Sequence, residues 1–113
     1  MFENFDASEI VNCYETKINA GRFETKPRKM HGFIYFHEGQ SVYTFGKKTI
    51  EVQGGWFLYL PEGESYGIRH DRDCIVSVID AHFYQSEKQE PFAVKAPLVL
   101  DSAFSGAVKA YSA

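Results

Sequence analysis

The sequence has no segment that could act as a secretion signal or as a membrane span. Its first residues include Glu3, Asn4 and Asp6, and no long apolar run follows them. A secretion signal needs a basic start followed by an apolar stretch, and a membrane-spanning helix needs about 20 largely apolar residues in succession. We therefore expect a cytoplasmic protein without a membrane partner.

Cysteine is scarce and basic residues are not in excess. Cys13 and Cys74 are far apart and form no CxxC pair, which excludes a disulfide framework and leaves two reduced thiols as the expectation. The chain has 12 basic and 15 acidic residues, a net charge of −3 and no long run of either sign. Binding to nucleic acid requires a basic surface that neutralises phosphates. These residues are therefore not expected to hold DNA themselves.

Aromatic and apolar residues are plentiful and fall in short runs. Apolar residues make up 44% of the 113 residues and aromatic residues 16%, a composition that favours strands. Glycine and proline separate the runs at intervals typical of an all-β domain, too closely for βαβ crossovers. We predict strands over residues 10–18, 22–25, 32–37, 41–45, 49–52, 56–60, 66–69, 74–84 and 92–95.

The pattern changes at Asp101. Asp101 or Ser102 can cap a short helix on which Phe104, either Ala107 or Val108, and Tyr111 recur on one face. We assign residues 1–100 to a binding barrel with an N-terminal arm and residues 101–113 to the start of a helix. The helix pattern has no stop signal, which indicates a longer protein or a helix that packs on a partner. A frayed helix lying on its own barrel is the alternative.

The most specific motif is a glycine and proline pattern before Tyr66. Gly55, Pro61 and Gly63 precede Tyr66 with the spacing Gly-x5-Pro-x-Gly-x2-Tyr. This pattern resembles the second motif of the cupins, in which the last position is a metal-binding histidine. The resemblance implies a cupin double-stranded β-helix, or jelly-roll barrel. Because Tyr66 replaces the histidine, it also implies that the usual metal site is lost.

Within the cupins, the chain is similar to the sensing domains of AraC-type bacterial transcription regulators. The segments that carry this similarity are Arg28, His31, residues 37–39, residues 55–63, Tyr66 and residues 79–83. The resemblance implies a barrel that binds a small-molecule effector, followed by a dimerisation helix and by helix-turn-helix units that this chain does not contain. A homodimer is among the states that it implies, and DNA would be bound only by the absent units.

The first cupin motif is missing as well as the second motif's histidine. Residues 25–28 and Gly32 stand where that motif has two histidines and a glutamate. We therefore expect no metal, no cofactor and no catalysis. The alternative is a cupin enzyme, of the sugar isomerase or dioxygenase type, that binds metal with some of His31, His37, His70 and His82. A third reading is an interaction module whose barrel is filled by its own side chains.

The candidate ligand-binding residues combine aromatic walls with a few polar groups, as small-molecule sites in barrels do. A tyrosine hydroxyl or a histidine would hydrogen-bond a small polar metabolite, an aromatic ring would stack on a sugar, and an arginine would bind a carboxylate or a phosphate. Each of these side chains has a structural alternative as core packing or a surface ion pair. The candidates are Arg28, His31, Tyr35, Tyr43, Trp56, Tyr66 and His82.

Overall fold

The chain consists of antiparallel strands throughout the part that the structure describes. A computed structural model describes residues 9–82 and 89–95. The strands in these ranges are β1 (Glu9–Ile18), β2 (Gly21–Glu24), β3 (His31–Glu38), β4 (Gln40–Phe45), β5 (Lys48–Gln53), β6 (Trp56–Leu60), β7 (Gly67–His70), β8 (Cys74–His82) and β9 (Phe92–Lys95). Each predicted strand is confirmed, and apart from the end of the eighth strand the ends agree with the prediction to within one residue. Residues 83–84 of the predicted eighth strand, residues 1–8 of the arm and the helix predicted over 101–113 lie outside the described residues.

The strands form two sheets that pack face to face. One sheet has five strands in the order β1-β8-β3-β6-β9, and the other has four in the order β2-β7-β4-β5. The core between them takes Ile34, Leu58 and Val76 from the first sheet and Tyr43 and Val52 from the second. Two antiparallel sheets around one core are the jelly-roll arrangement that the cupin resemblance implied.

Strand β3 is buried on both faces. Ile34 and Phe36 point into the core between the sheets, whereas Phe33 and Tyr35 belong to a second apolar cluster with Phe57. Since neighbouring side chains of a strand point to opposite faces, this second cluster lies on the outer face of the five-stranded sheet. The apolar character of residues 32–37 predicts this two-sided burial, and the structure confirms it.

Two glycines set the turns at opposite ends of β4. Gly46 has φ +59° at the first position of the two-residue turn into β5, where a type II′ turn requires a positive φ. Gly39 has φ +112° between β3 and β4, and a Cβ there would lie 2.5 Å from the sulfur of Cys74.

Cys74 and Cys13 are both buried free thiols. The described residues include no helix of the length and apolar character that crossing a membrane requires.

Candidate functional site

The loop between β2 and β3 carries Arg28 to one end of the space between the sheets. Its backbone is tied to the loop between β6 and β7, because the amide of Arg28 donates to the carbonyl of Glu64 at 2.9 Å. The amide of Gly63 in turn donates to the carbonyl of Arg28 at 2.8 Å. Further along, the amide of Thr25 donates to the carbonyl of Tyr66 at 3.0 Å. The glycine and proline motif therefore positions Arg28 as well as Tyr66.

The guanidinium of Arg28 is held by three acceptors. Its Nε donates to the carbonyl of Met30 at 3.1 Å, and its Nη1 donates to the hydroxyl of Tyr66 at 3.0 Å. Its Nη2 donates to the carboxylate of Asp80 in β8. The Arg28 and Asp80 side chains are only 18% and 11% exposed, so they form a largely buried ion pair. Among the described residues only these three acceptors bind the guanidinium, so two of its five donors have no partner there.

Gly32 provides the space that Arg28 occupies. Gly32 pairs with Asp80 in the sheet, and a Cβ at this position would lie 2.6 Å from Nη2 of Arg28. The glycine that stands near the glutamate position of the cupin metal motif is therefore covered by an arginine. A cation here replaces the group of acidic and histidine ligands that a metal cupin requires.

Neighbouring polar groups complete this charged cluster. The Nδ2 of Asn12 in β1 donates to the second carboxylate oxygen of Asp80 at 3.4 Å. Burial disfavours the charge on Arg28, but Tyr66 and then Asp80 outweigh burial and raise the pKa of the guanidinium. Burial, and next the charge of Asp80, raise the pKa of Tyr14. Arg28 thus carries a full positive charge in a partly dehydrated setting, where charge-assisted hydrogen bonds are strong.

Aromatic rings extend from this cluster into the core. The ring of Tyr66 lies 5.6 Å from that of Tyr43 and 5.4 Å from that of Phe45. Tyr43 is 2% exposed, and burial raises the pKa of its hydroxyl well above the ordinary value. The structure therefore brings together three of the predicted residues, Arg28, Tyr66 and Tyr43, with a charged head beside an apolar interior.

His31 lies close in sequence but has a different environment. Its Nδ1 is 2.8 Å from the hydroxyl of Tyr59 and accepts the amide of Glu62 at 3.3 Å. Since Nδ1 accepts, the proton of the neutral ring is on Nε2, which is 3.8 Å from the carboxylate of Glu62. Burial lowers the pKa of His31. The charge of Glu62 opposes this shift, and His82 and Arg28 add to it.

Two of the remaining predicted residues, Tyr35 and Trp56, are not assembled at Arg28, whereas His82 lies close to its partner Asp80. Tyr35 belongs to the cluster on the outer face of the five-stranded sheet. Trp56 packs on the edge of the inner core at the start of β6, four residues from Leu60, or about 13 Å along the strand. Leu60 is the residue that pairs with Gly32 beneath Arg28. His82 is half-buried at the end of β8, two residues beyond Asp80 and on the same face.

The histidines of the alternative enzyme reading contact separate partners. Nε2 of His37 is 2.6 Å from the hydroxyl of Ser77, and Nδ1 of His70 is 2.6 Å from that of Ser41. Within residues 9–82 and 89–95, no group of three or more histidine, cysteine, aspartate or glutamate side chains converges as metal ligands would. The donor set of the described residues therefore does not fit a cupin metal.

Sequence reasoning missed Asp80 and Asn12. Asp80 is a charged residue in an otherwise apolar and β-branched strand, and a buried carboxylate requires a partner. That signal was available from the sequence. The identity of the partner was not, because Arg28 lies 52 residues away and meets Asp80 only through the register of β3 and β8.

Comparison with known proteins identifies the class of fold. No protein-family model and no curated protein sequence matches the chain. Among solved structures, ToxT of Vibrio cholerae bound to an unsaturated fatty acid has a TM-score of 0.68 at 8% identity, over 92% of this chain and 47% of ToxT. A cupin-2 domain protein of Shewanella frigidimarina has a TM-score of 0.54 at 18% identity, over 62% of this chain and 69% of its own.

A second ToxT structure, from strain O395, is bound to (E)-4-(8-methylnaphthalen-1-yl)but-3-enoic acid. It has a TM-score of 0.68 at 10% identity over 88% of this chain and 48% of ToxT. The strands thus form a cupin fold. The particular likeness is to the N-terminal domain of ToxT, an AraC-type regulator, which agrees with the predicted resemblance. At this identity the likeness shows the fold alone, and the chain spans about half the length of ToxT.

Proposed function

We propose that this chain is the effector-binding domain of an AraC-type transcription regulator and that its effector binds at Arg28 and Tyr66. The observation that carries the proposal is the largely buried guanidinium of Arg28, which has two donors without a partner among the described residues and lies beside the ring of Tyr66 at one end of the core between the sheets. DNA binding would belong to helix-turn-helix units elsewhere in a cytoplasmic parent protein. Two such units encoded after Ala113 would support this assignment, and a natural chain that ends there would contradict it.

The effector that best suits this site is a carboxylic acid with an apolar body. A guanidinium binds a carboxylate through parallel hydrogen bonds. The rings of Tyr66, Tyr43 and Phe45, which pack on one another beside Arg28, would form an apolar wall if they move apart to admit the ligand. Both ToxT ligands named above are carboxylic acids, which supports the same class. A sugar is the second candidate. Of the two rings expected to stack on it, Tyr43 lies beside Tyr66, but Trp56 lies at the far end of β6 from Leu60 and away from Arg28.

Titration calorimetry tests the site. The probe is (E)-4-(8-methylnaphthalen-1-yl)but-3-enoic acid, with neutral monosaccharides as the comparison. We expect the acid to bind and Arg28→Gln/Asp80→Asn to weaken it about 10-fold to 100-fold, since a charge-assisted hydrogen bond is worth about 1.5–3 kcal/mol. The double substitution removes the charge without leaving Asp80 unpaired. Arg22→Gln, on the exposed strand β2, is the matched control and should leave affinity unchanged.

Two results would contradict the site. If the double variant binds the acid as well as the wild type does, the ligand lies elsewhere. If only a monosaccharide binds, the domain is a sugar sensor.

The proposal includes the absence of catalysis. It is supported by the separate partners of His31, His37 and His70 and by the arginine that lies over Gly32. Elemental analysis of the purified protein is the test. Iron, manganese or zinc bound in stoichiometric amount, and removed only by a strong chelator, would favour the cupin enzyme.

A further inference from the structure

Strand β1 lies at one edge of the five-stranded sheet. Strand β1 is ten residues long and pairs with β8 on one side, and no strand of the described residues pairs with its other side. Its ladder with β8 shifts register between Ile10 and Asn12 and is regular from Asn12 to Ile18. Every second residue of such a strand turns its N–H and C=O away from β8, which makes a template for another strand.

This edge has few of the features that prevent pairing. It contains no proline, its irregularity is confined to the first residues, and Val11 and Tyr14 are 37% and 42% exposed. Glu15 and Lys17 are charged, as edge residues often are, but they carry opposite signs and flank Thr16. A charge pattern that reads acidic, neutral, basic is complementary to its own antiparallel copy.

We propose that two copies of this chain associate through β1, antiparallel, about a two-fold axis that passes through Thr16. The two five-stranded sheets then continue as one sheet across the dimer. Glu15 of each copy lies opposite Lys17 of the other on the outer face, and Tyr14 lies opposite Ile18 on the inner face. Opposite charges and aromatic with β-branched residues are both favourable cross-strand pairs.

The charges also select this register over its neighbours. In a symmetric dimer whose two inner faces lie on the same side of the joined sheet, the two-fold axis must pass through a residue of β1. The neighbouring registers therefore place the axis one residue earlier or one residue later. An axis at Glu15 would place Glu15 opposite itself, and an axis at Lys17 would place Lys17 opposite itself. Like charges directly opposite each other are unfavourable. The axis at Thr16 avoids both and gives two ion pairs in place of one repulsion.

The contacts that these side chains already make are compatible with the dimer. Lys17 is 3.5 Å from the exposed Asp73, and Glu15, itself exposed, is 3.9 Å from the partly buried His37. Ion pairs at the surface contribute little, so the exposed Lys17 and Glu15 can each turn to a partner or share it. The interface is one strand wide, below the area of a standard stable interface, and we expect a weak dimer that dissociates on dilution.

Charge reversal tests the proposal. In sedimentation equilibrium at low salt, Glu15→Lys or Lys17→Glu should each raise the dimer dissociation constant about 10-fold or more, because two symmetry-related pairs change from attraction to repulsion. The double variant Glu15→Lys/Lys17→Glu should recover the wild-type value. Glu51→Lys on β5 and Lys47→Glu in the adjacent turn are matched controls that should change nothing. A chain that stays monomeric at submillimolar concentration, or a dimer indifferent to these reversals, overturns the proposal.

Cross-linking gives a second readout that does not depend on the stability of the variants. At the axis the two Thr16 residues face each other, at the Cα separation of about 4.5–5.5 Å that suits a disulfide. With oxidised glutathione, Thr16→Cys should form a covalent dimer through its two new thiols. Lys47→Cys, on an exposed turn, is the control for random encounter. If both variants cross-link to the same extent, the β1 interface is wrong.

Discussion

Arg28 and Asp80 form a pair in which neither member is tolerated alone. Removing one partner of a buried ion pair leaves an unpaired charge, whereas removing both is often close to neutral. We expect Arg28→Gln and Asp80→Asn each to lower the free energy of unfolding by about 3 kcal/mol, and the double variant to lose far less than the sum. Urea denaturation of the four proteins measures the coupling. Additive losses would mean that the contact contributes nothing specific.

His31 makes the free energy of unfolding depend on pH, in a direction set by the shift of its pKa. Burial is the main cause that lowers its pKa below the ordinary 6.5 in the folded protein. The unfolded chain therefore binds the proton more readily, so the contribution of His31 is complete above pH 6.5 and is lost as the pH falls below it. Protonation of Nδ1 would also remove the acceptor that Tyr59 and Glu62 use.

The expected result is a free energy of unfolding that declines from pH 7.5 to 5.5, less steeply in His31→Asn. His70, whose pKa burial also lowers, accounts for a further part of the slope. NMR titration of the His31 ring in the folded protein is the direct check. A midpoint above that of free histidine would reverse the predicted sign.

At the level of whole elements, the turn from β3 to β4 depends on a glycine with no substitute. Gly39 combines φ +112° with a virtual Cβ only 2.5 Å from the sulfur and 2.8 Å from the Cα of Cys74. Gly46 also has a positive φ, but a Cβ there meets no atom within 4 Å. We expect Gly46→Ala to cost about 1 kcal/mol and Gly39→Ala about 3 kcal/mol or more. Equal losses in urea denaturation would show that the contact with Cys74 relaxes freely.

The difference between local signals and long-range contacts explains how much of the fold and of the site the sequence could predict. Strands such as β6 and β8 are predictable because burial, turns and β-branched residues are local signals, and the motif from Gly55 to Tyr66 identifies the fold. The partners of those strands' side chains are not local. Arg28 lies beside Asp80, and Tyr35 lies on the far side of the sheet from Tyr43, only because of strand register and sheet order. A pattern of residues along the sequence does not specify strand register or sheet order.

At the scale of the whole molecule, the proposed effector site and the proposed dimer edge share one strand. Asn12 begins the regular part of β1, and its side chain donates a hydrogen bond to Asp80 at 3.4 Å. Asp80 also accepts a hydrogen bond from Arg28. A carboxylate ligand on the two remaining donors of Arg28 shares the guanidinium with Asp80 and weakens the contact between Arg28 and Asp80. We expect Asp80 then to accept a closer hydrogen bond from Asn12 and so to fix β1 two residues before Tyr14, where the dimer ladder of residues 14–18 begins.

Binding of the acid should therefore strengthen the β1 dimer, by about fivefold on the usual scale of coupling between sites. Linkage requires the reciprocal effect, so that the acid binds the dimer more tightly than the monomer by the same factor. Sedimentation equilibrium with and without the acid measures the first factor, and calorimetry at low and high protein concentration measures the second. Asn12→Ala should abolish both while leaving the affinity of the monomer for the acid intact. If the dimer dissociation constant is the same with and without the acid, the two sites are independent and Asp80 does not connect them.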